Sequence, residues 1–299
     1  MINPGKHSQK NRFRPIDILT FLYILINLLY IIFGWKRVHN PHIHFPVFLM
    51  IGIVIYILIR NEKHSGILSF LRDWYPVIAF TYFFEATSAL NKVIFPDFLD
   101  PFFQKIDFHI FGYQPAIVWG IKLDYFWLQE LMHFAYFCYY LMIPVLGFLL
   151  YFKKREAFHR FVFSISFLFY FCYLIFNILP VIGGRALEGA TFLTTEYRYG
   201  IFTRIMALIY NNTAHLGGAF PSSHVAVAVG VTISALRDVK WFGWILIPIS
   251  FLLSISTIYC HYHYFIDTVA GLFFGIGIYY LGLKIYGKYA EKEINTEKH

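Results

Sequence analysis

Gly217-Gly218-Ala219-Phe220-Pro221-Ser222-Ser223-His224 opens the apolar run 221–236, and Ser256-Thr257-Ile258-Tyr259-Cys260-His261-Tyr262-His263-Tyr264-Phe265-Ile266-Asp267 leads into the apolar run 264–286. Each stretch sets a histidine, with small or polar residues beside it, where a long apolar run begins. Each can therefore hold an imidazole at the mouth of a helix bundle. Pro221 suits the first turn of a helix, where its missing N–H costs nothing. Ser222 and Ser223 then add hydroxyls beside free backbone donors of the kind that bind anions. His263 and Asp267 are four residues apart, which on a helix puts them on one face. A carboxylate so placed holds one imidazole nitrogen protonated and leaves the other free to attack. The two stretches together read as a phosphoryl-transfer site.

Outward from these stretches the chain alternates apolar runs with short polar turns. Runs at 18–33, 45–59, 75–95, 126–152, 158–179 and 241–259 join the two above to make about eight spans, the first two short for a bilayer. The fold class expected is all-α, a polytopic membrane helix bundle. A backbone in lipid must satisfy its amides within its own segment, and the long runs lack the alternation of barrel strands. Of the 299 residues 58% are hydrophobic and only 14% charged, which excludes an ordinary soluble domain. The run at 18–33 is followed by Trp35-Lys36-Arg37 rather than a small-residue cleavage site, and reads as an uncleaved span.

A formal net charge of +8 raises the question of nucleic acid, but the basic residues fall in short clusters between apolar runs. No nucleic-acid partner is expected. If the N-terminus is cytoplasmic, that side collects 17 of the 25 lysines and arginines. The positive-inside rule then puts both termini in the cytoplasm, with Arg185, His224 and His263 on the periplasmic, extracellular or luminal side. Cys138, Cys172 and Cys260 each lie in or beside an apolar run without ligand spacing, and read as packing residues.

Between the third and fourth spans, residues 102–111 read as a helix lying in the outer interface, aromatic side down, with Lys105 and Asp107 toward water. An ordinary aromatic-belt loop is the alternative. The longest outer loop, 180–219, carries Arg185, Arg198 and Arg204 beside Glu188 and Glu196. Arg198 and Arg204 read as solvated or facing head groups. Arg185 follows Gly183-Gly184, where permissive backbone can present amides and a guanidinium to one anion. His133, His215 and His261 read as packed or interfacial. Glu130-x2-His133 has the spacing of half a di-iron site, but no second such pair exists, so no metal is expected there. Glu85 and Glu130 are left without a role.

Pro221-Ser222-Ser223-His224 resembles the Pro-Ser-Gly-His motif of the type 2 phosphatidic acid phosphatase superfamily, and Ser256, His263 and Asp267 match its Ser-Arg-x5-His-x3-Asp motif. Ser223 stands for the usual glycine and Thr257 for the usual arginine. The upstream Lys-x6-Arg-Pro motif is absent. Ile178 sits where its lysine would be, and Pro180-Val181-Ile182-Gly183-Gly184-Arg185 takes its place. These departures, and the Asp107-x3-Phe111-Gly112-x2-Pro115 pattern, are similar to the branch of inositol phosphorylceramide synthases and related head-group transferases.

The resemblance implies a six-helix catalytic core over residues 75–290, preceded by a tail and two extra transmembrane helices over 1–74 and followed by a polar tail over 291–299. It also implies a mechanism. His263, oriented by Asp267, attacks a lipid-linked phosphoryl group, and His224 protonates the departing oxygen. Arg185, Gly184, Ser222 and Ser223 hold the phosphate oxygens. No cofactor and no metal are called for. The partners implied are a membrane lipid substrate and, in a transferase, a polar alcohol acceptor. Water as acceptor makes a lipid phosphatase, and a lipid or anion transporter is the non-enzymatic alternative. With Thr257 in place of arginine, the clamp must come from Arg185, Arg198 or Arg204, or the substrate must be a phosphodiester with less charge.

Overall fold

The structure is a computed structural model, which describes residues 13–61, 66–188, 190, 200–211 and 215–297. Among the described residues it is all-helical: α1 Pro15–Phe33, α2 Pro41–Arg60, α3 Ile67–Leu90, α4 Asp100–Phe111, α5 Pro115–Lys122, α6 Phe126–Lys153, α7 Arg155–Ile178, α8 Ile201–Asn211, α9 Ser223–Asp238, α10 Lys240–Tyr259 and α11 Phe265–Glu297. Among the described residues the β-type pairing is limited to an isolated bridge between Val181 and Gly218.

Among the described residues six helices, α1, α2, α6, α7, α10 and α11, are long and apolar enough to cross a membrane. Six such helices in one chain mark a membrane protein. The first two spans, short in the sequence reading, reach 19 and 20 residues because Pro15 and Pro41 start their helices ahead of the apolar runs. The other two expected spans differ. α3 is long enough but carries Arg72, Asp73 and Glu85, and α9 has only 16 residues. Both are sheltered by neighbours: α3 packs on α7, and α9 sits among α7, α10 and α11. α11 continues as a helix to Glu297, through a stretch expected as a polar tail.

α7 is the most buried of the six and is the post around which the bundle is assembled, with Phe158, Phe161, Leu168, Cys172 and Phe176 on its inner faces. Lipid removes most of the hydrophobic drive between helices, so close backbone approach and interhelical hydrogen bonds take its place. α11 meets α9 through Gly271-x3-Gly275. A Cβ at Gly271 would come within 2.5 Å of the Ser222 carbonyl, and one at Gly275 within 2.7 Å of the Ala226 carbonyl. Thr232 and Ser250 bond across α9 and α10 at 2.7 Å, and Thr257 and Thr268 across α10 and α11 at 2.8 Å.

At the end where α1, α3 and α7 begin, acidic residues are buried among cations. Asp73 accepts from Arg14 at 2.6 Å, from His159 at 3.1 Å and from Arg155. Asp17 is held by Arg72 and, at 2.7 Å, by the Tyr75 hydroxyl. α9, α11 and the loop after α7 begin at the opposite end, and there the two histidine stretches meet.

Candidate active site

α9 starts two residues later than the sequence reading placed it. Ser222 is the N-cap, its Oγ accepting from Val225 N at 3.4 Å, and Ser223 is the first helical residue. Pro221 therefore precedes the cap instead of filling the first turn, because the serine hydroxyl takes the free amide better than a proline removes one. His224 sits in this first turn. Its ring lies between Tyr136 and Tyr139, with centroids 4.9 and 4.5 Å away, and 5.7 Å from the ring of His263.

His263 is on the turn between α10 and α11, two residues ahead of the helix, so its pairing with Asp267 is not made along a helix face. The Thr257 carbonyl accepts from both Tyr262 N and His263 N at 2.9 Å, which fixes the turn. Asp267 reaches back to cap Tyr264 N at 2.9 Å, the half of a capping box made by an acidic third residue. His263 Nδ1 and Asp267 Oδ2 are 3.6 Å apart. That is an ion-pair contact and longer than a hydrogen bond. His263 Nδ1 is buried without a hydrogen-bond partner among the described residues, and a shift of about half an ångström would join it to Asp267 Oδ2. Burial pushes the His263 imidazole well below its ordinary pKa, with His224 and Arg185 adding to the effect. The ring is neutral at pH 7, as a nucleophile must be. The Asp267 carbonyl also accepts from Ser222 N at 3.0 Å, tying the two stretches together.

The loop after α7 supplies the third wall. Val181 bridges to Gly218, and Ala219 N donates to the Val181 carbonyl at 2.8 Å. Gly183 has φ +93, and a Cβ there would collide with the Tyr262 carbonyl, so only glycine lets the loop lie on the His263 turn. Arg185, on the following 3-10 turn, donates to the His215 carbonyl at 3.3 Å and lies 5.5 Å over the Tyr210 ring. Its Nε is buried without a partner among the described residues.

These walls enclose a cavity of about 480 Å³, with His263, His224, Ser223 and Arg185 among its lining residues. It also draws apolar walls from α3, α6 and α7, including Val77, Phe80, Ile143 and Phe169. Of the expected phosphate holders, Ser222 and Gly184 do not line it. Ser222 is fully buried as the helix cap, and Gly184 packs under the His261 carbonyl. Arg204 is exposed on α8 and also absent from the lining, while Arg198 and Glu196 lie outside the described residues.

The profile of the PAP2 superfamily matches residues 110–281, more than half of the chain. The chain belongs to the PAP2 superfamily. Members of this superfamily are typically phosphatases. The protein is also similar to a PA-phosphatase related-family protein of Dictyostelium discoideum, 28% identical over 107 residues, which is 34% of this chain and 19% of that protein. The likeness is thus local to about a fifth of the relative's length. No solved structure matches the chain.

At the PAP2 motif position where arginine is usual, Thr257 is fully buried and bonded to Thr268, so no cation approaches the cavity from there. Among the described residues, Arg185 is the sole arginine or lysine lining it. His215, read as packing, does stack on Phe84 with centroids 3.9 Å apart and bonds to Thr87 at 2.8 Å, but it also lines the cavity. Burial, then Arg185, lowers its pKa to about 3. His133 packs as expected, with Nδ1 on the Gln129 carbonyl at 2.7 Å, and so does His261, whose ring lies against Gly120.

Two carboxylates found unexpected partners. Asp107 does not face water. It is fully buried and accepts from Phe265 N at 2.7 Å and Ile266 N at 3.1 Å, capping α11 from the side. The free amides of a helix start attract a carboxylate more strongly than solvent does in this interior. Glu130 does the same for α8, accepting from Gly200 N, Phe202 N and Thr203 N at 3.0 to 3.1 Å and from the Thr203 hydroxyl. α8 begins with no acidic residue of its own, and Asp267 of α11 caps only Tyr264, so amides are left over at both starts; which carboxylate takes them is visible only once the partners are adjacent.

Proposed function

We propose that the protein is an integral membrane phosphotransferase acting on a lipid-linked phosphodiester, with the reacting group moving through a phosphohistidine. The observation that carries this reading is a cavity in which His224, His263 and a single arginine, with His215 beside them, meet apolar walls. One guanidinium balances the single charge of a phosphodiester, and the apolar walls suit the lipid part. In the first step His263 attacks phosphorus. The bond to the departing oxygen breaks, its electron pair leaves with that oxygen, and His224 supplies the proton. Burial, then Arg185, lowers the His224 pKa to about 3, so it takes up that proton with the substrate anion, whose charge offsets Arg185. In the second step an acceptor hydroxyl gives its proton to His224 and attacks phosphorus, and the P–N bond breaks to restore His263. Arg185, Ser223 and nearby amides hold the oxygens on which charge gathers. Asp267 orients His263. No step calls for a metal ion.

The second reading is a lipid phosphate phosphatase with water as acceptor, favoured by the phosphatase character of the superfamily and of the Dictyostelium relative. In either case the site faces the periplasmic, extracellular or luminal side. The lysine and arginine bias supports this, as does the gathering of Arg14, Arg72 and Arg155 at the other end of the bundle.

The deciding experiment compares purified wild type and His263→Ala in lipid vesicles. Each receives a phosphatidic acid or a phosphodiester lipid, with and without inositol or glycerol, and both free phosphate and new lipid are followed. New lipid that needs acceptor and His263 supports the transferase. Phosphate released without acceptor supports the phosphatase. A fully active His263→Ala, or no product in either arm, overturns both.

A further inference from the structure

Asp100, at the start of α4, belongs to neither histidine stretch, yet it holds both segments that frame the phosphorus. Its carboxylate accepts from Ile182 N at 3.0 Å and from Gly183 N at 3.0 Å, the two amides that lead into the Arg185 turn. The same group accepts from the Tyr264 hydroxyl at 2.9 Å, and Tyr264 directly follows His263. Asp100 is 4% exposed, so these bonds are made away from water, where they are strongest. The neighbourhood repeats the tie. Leu99 N donates to the Pro180 carbonyl at 2.8 Å, and Gln104 gives the Tyr264 hydroxyl a second bond at 3.1 Å.

The chemistry of the donors calls for a carboxylate. Two successive backbone amides converge on one group, as in an anion-binding nest, and a phenol donates from the other side. A carboxylate accepts on both oxygens. A carboxamide keeps one acceptor oxygen and would turn its NH2 toward donors.

We propose that Asp100 is a positioning residue for phosphoryl transfer. It locks the Arg185 turn to the His263 turn so that guanidinium and imidazole address the same phosphorus. This rests on the roles given above to Arg185 and His263. It does not rest on which acceptor is used. A clamp displaced by an ångström leaves the lipid-binding walls intact but misaligns attack, so the effect falls on kcat more than on KM.

The test uses full-length protein in lipid vesicles. Asp100→Asn should lower kcat on the order of 10²-fold with KM for the lipid nearly unchanged. It should also speed amide hydrogen exchange at Ile182 and Gly183, a readout independent of activity. In an Arg185→Ala background the same change should cost only about threefold more, because the group it positions is gone. Tyr264→Phe removes one tie without touching the backbone. It should lower kcat several-fold and slightly speed the same exchange, and it decides the matter if Asp100→Asn does not fold. Unchanged exchange at Ile182 and Gly183, or a full multiplicative loss in the double variant, overturns the proposal. A wild type without turnover, or an active His263→Ala, overturns the proposed function instead, and the exchange result still judges the brace.

Discussion

At the end of the bundle where α1, α3 and α7 begin, Asp17 and Asp73 are each wrapped by arginine, histidine or tyrosine donors. At the end where α9 and α11 begin, His224, His263, Arg185 and Asp267 each keep one buried polar atom without a partner among the described residues. Both ends bury charge in a protein built for lipid. Leaving a buried polar atom unpaired costs about 1–3 kcal/mol. Paired charge makes the first end a clasp between helices. At the second, the unpaired atoms of His224, His263 and Arg185 belong to residues that line the cavity, where a ligand can complete them.

The comparison breaks first at His263. Replacing it with alanine should abolish turnover in the vesicle assay, since in the proposed scheme its nitrogen forms the bond to phosphorus. His224→Ala should cost about 10²–10⁴-fold, most with poor leaving groups, because the departing oxygen then leaves unprotonated. A rate that does not depend on leaving group would remove His224 from that role. Arg185→Ala should lower kcat/KM about 10²-fold and weaken inhibition by vanadate, which mimics a pentavalent phosphoryl group.

At the paired end the same assay should stay silent. Asp73→Asn should leave kcat per folded molecule unchanged while lowering stability by about 3–5 kcal/mol, read as thermal unfolding in detergent. A loss of turnover without loss of stability would mean the two ends are coupled. The smallest effect concerns pH. The folded pKa of His215 lies at about 3, below its unfolded value of 6.5. Its neutral form therefore supports the fold fully above pH 6.5, and that support is lost as pH falls toward 3, by at most about 1.4 kcal/mol per pH unit. His215→Phe should make the acid decline in unfolding midpoint shallower, and an unchanged slope would show that this ring does not titrate with unfolding.

Much of the bundle is legible in the chain, since long apolar runs broken by polar turns leave a helix as the backbone's way to satisfy itself in lipid. α3 and α9 are harder to read. Their polarity and length are tolerated because α7, α10 and α11 shelter them, and shelter is not a local property. His224, His263 and Asp267 are legible from spacing, and the structure brings the two histidines to one cavity with Arg185, Asp267 lying beside His263. The way they meet was not. The helix-face pairing of His263 with Asp267 is replaced by a turn fixed through Thr257 and Tyr264, because α11 starts at Phe265.

What the sequence by itself determined is an all-helical membrane bundle with two histidines poised where helices begin, since periodic apolarity and residue spacing are local quantities. Only the tertiary structure decided how the buried carboxylates are used. Asp107 caps α11, Glu130 caps α8 and Asp100 joins two loops, each answering backbone amides far away in the chain. A helix start advertises free amides in its own residues, but the group that satisfies them can come from any element the fold places beside it.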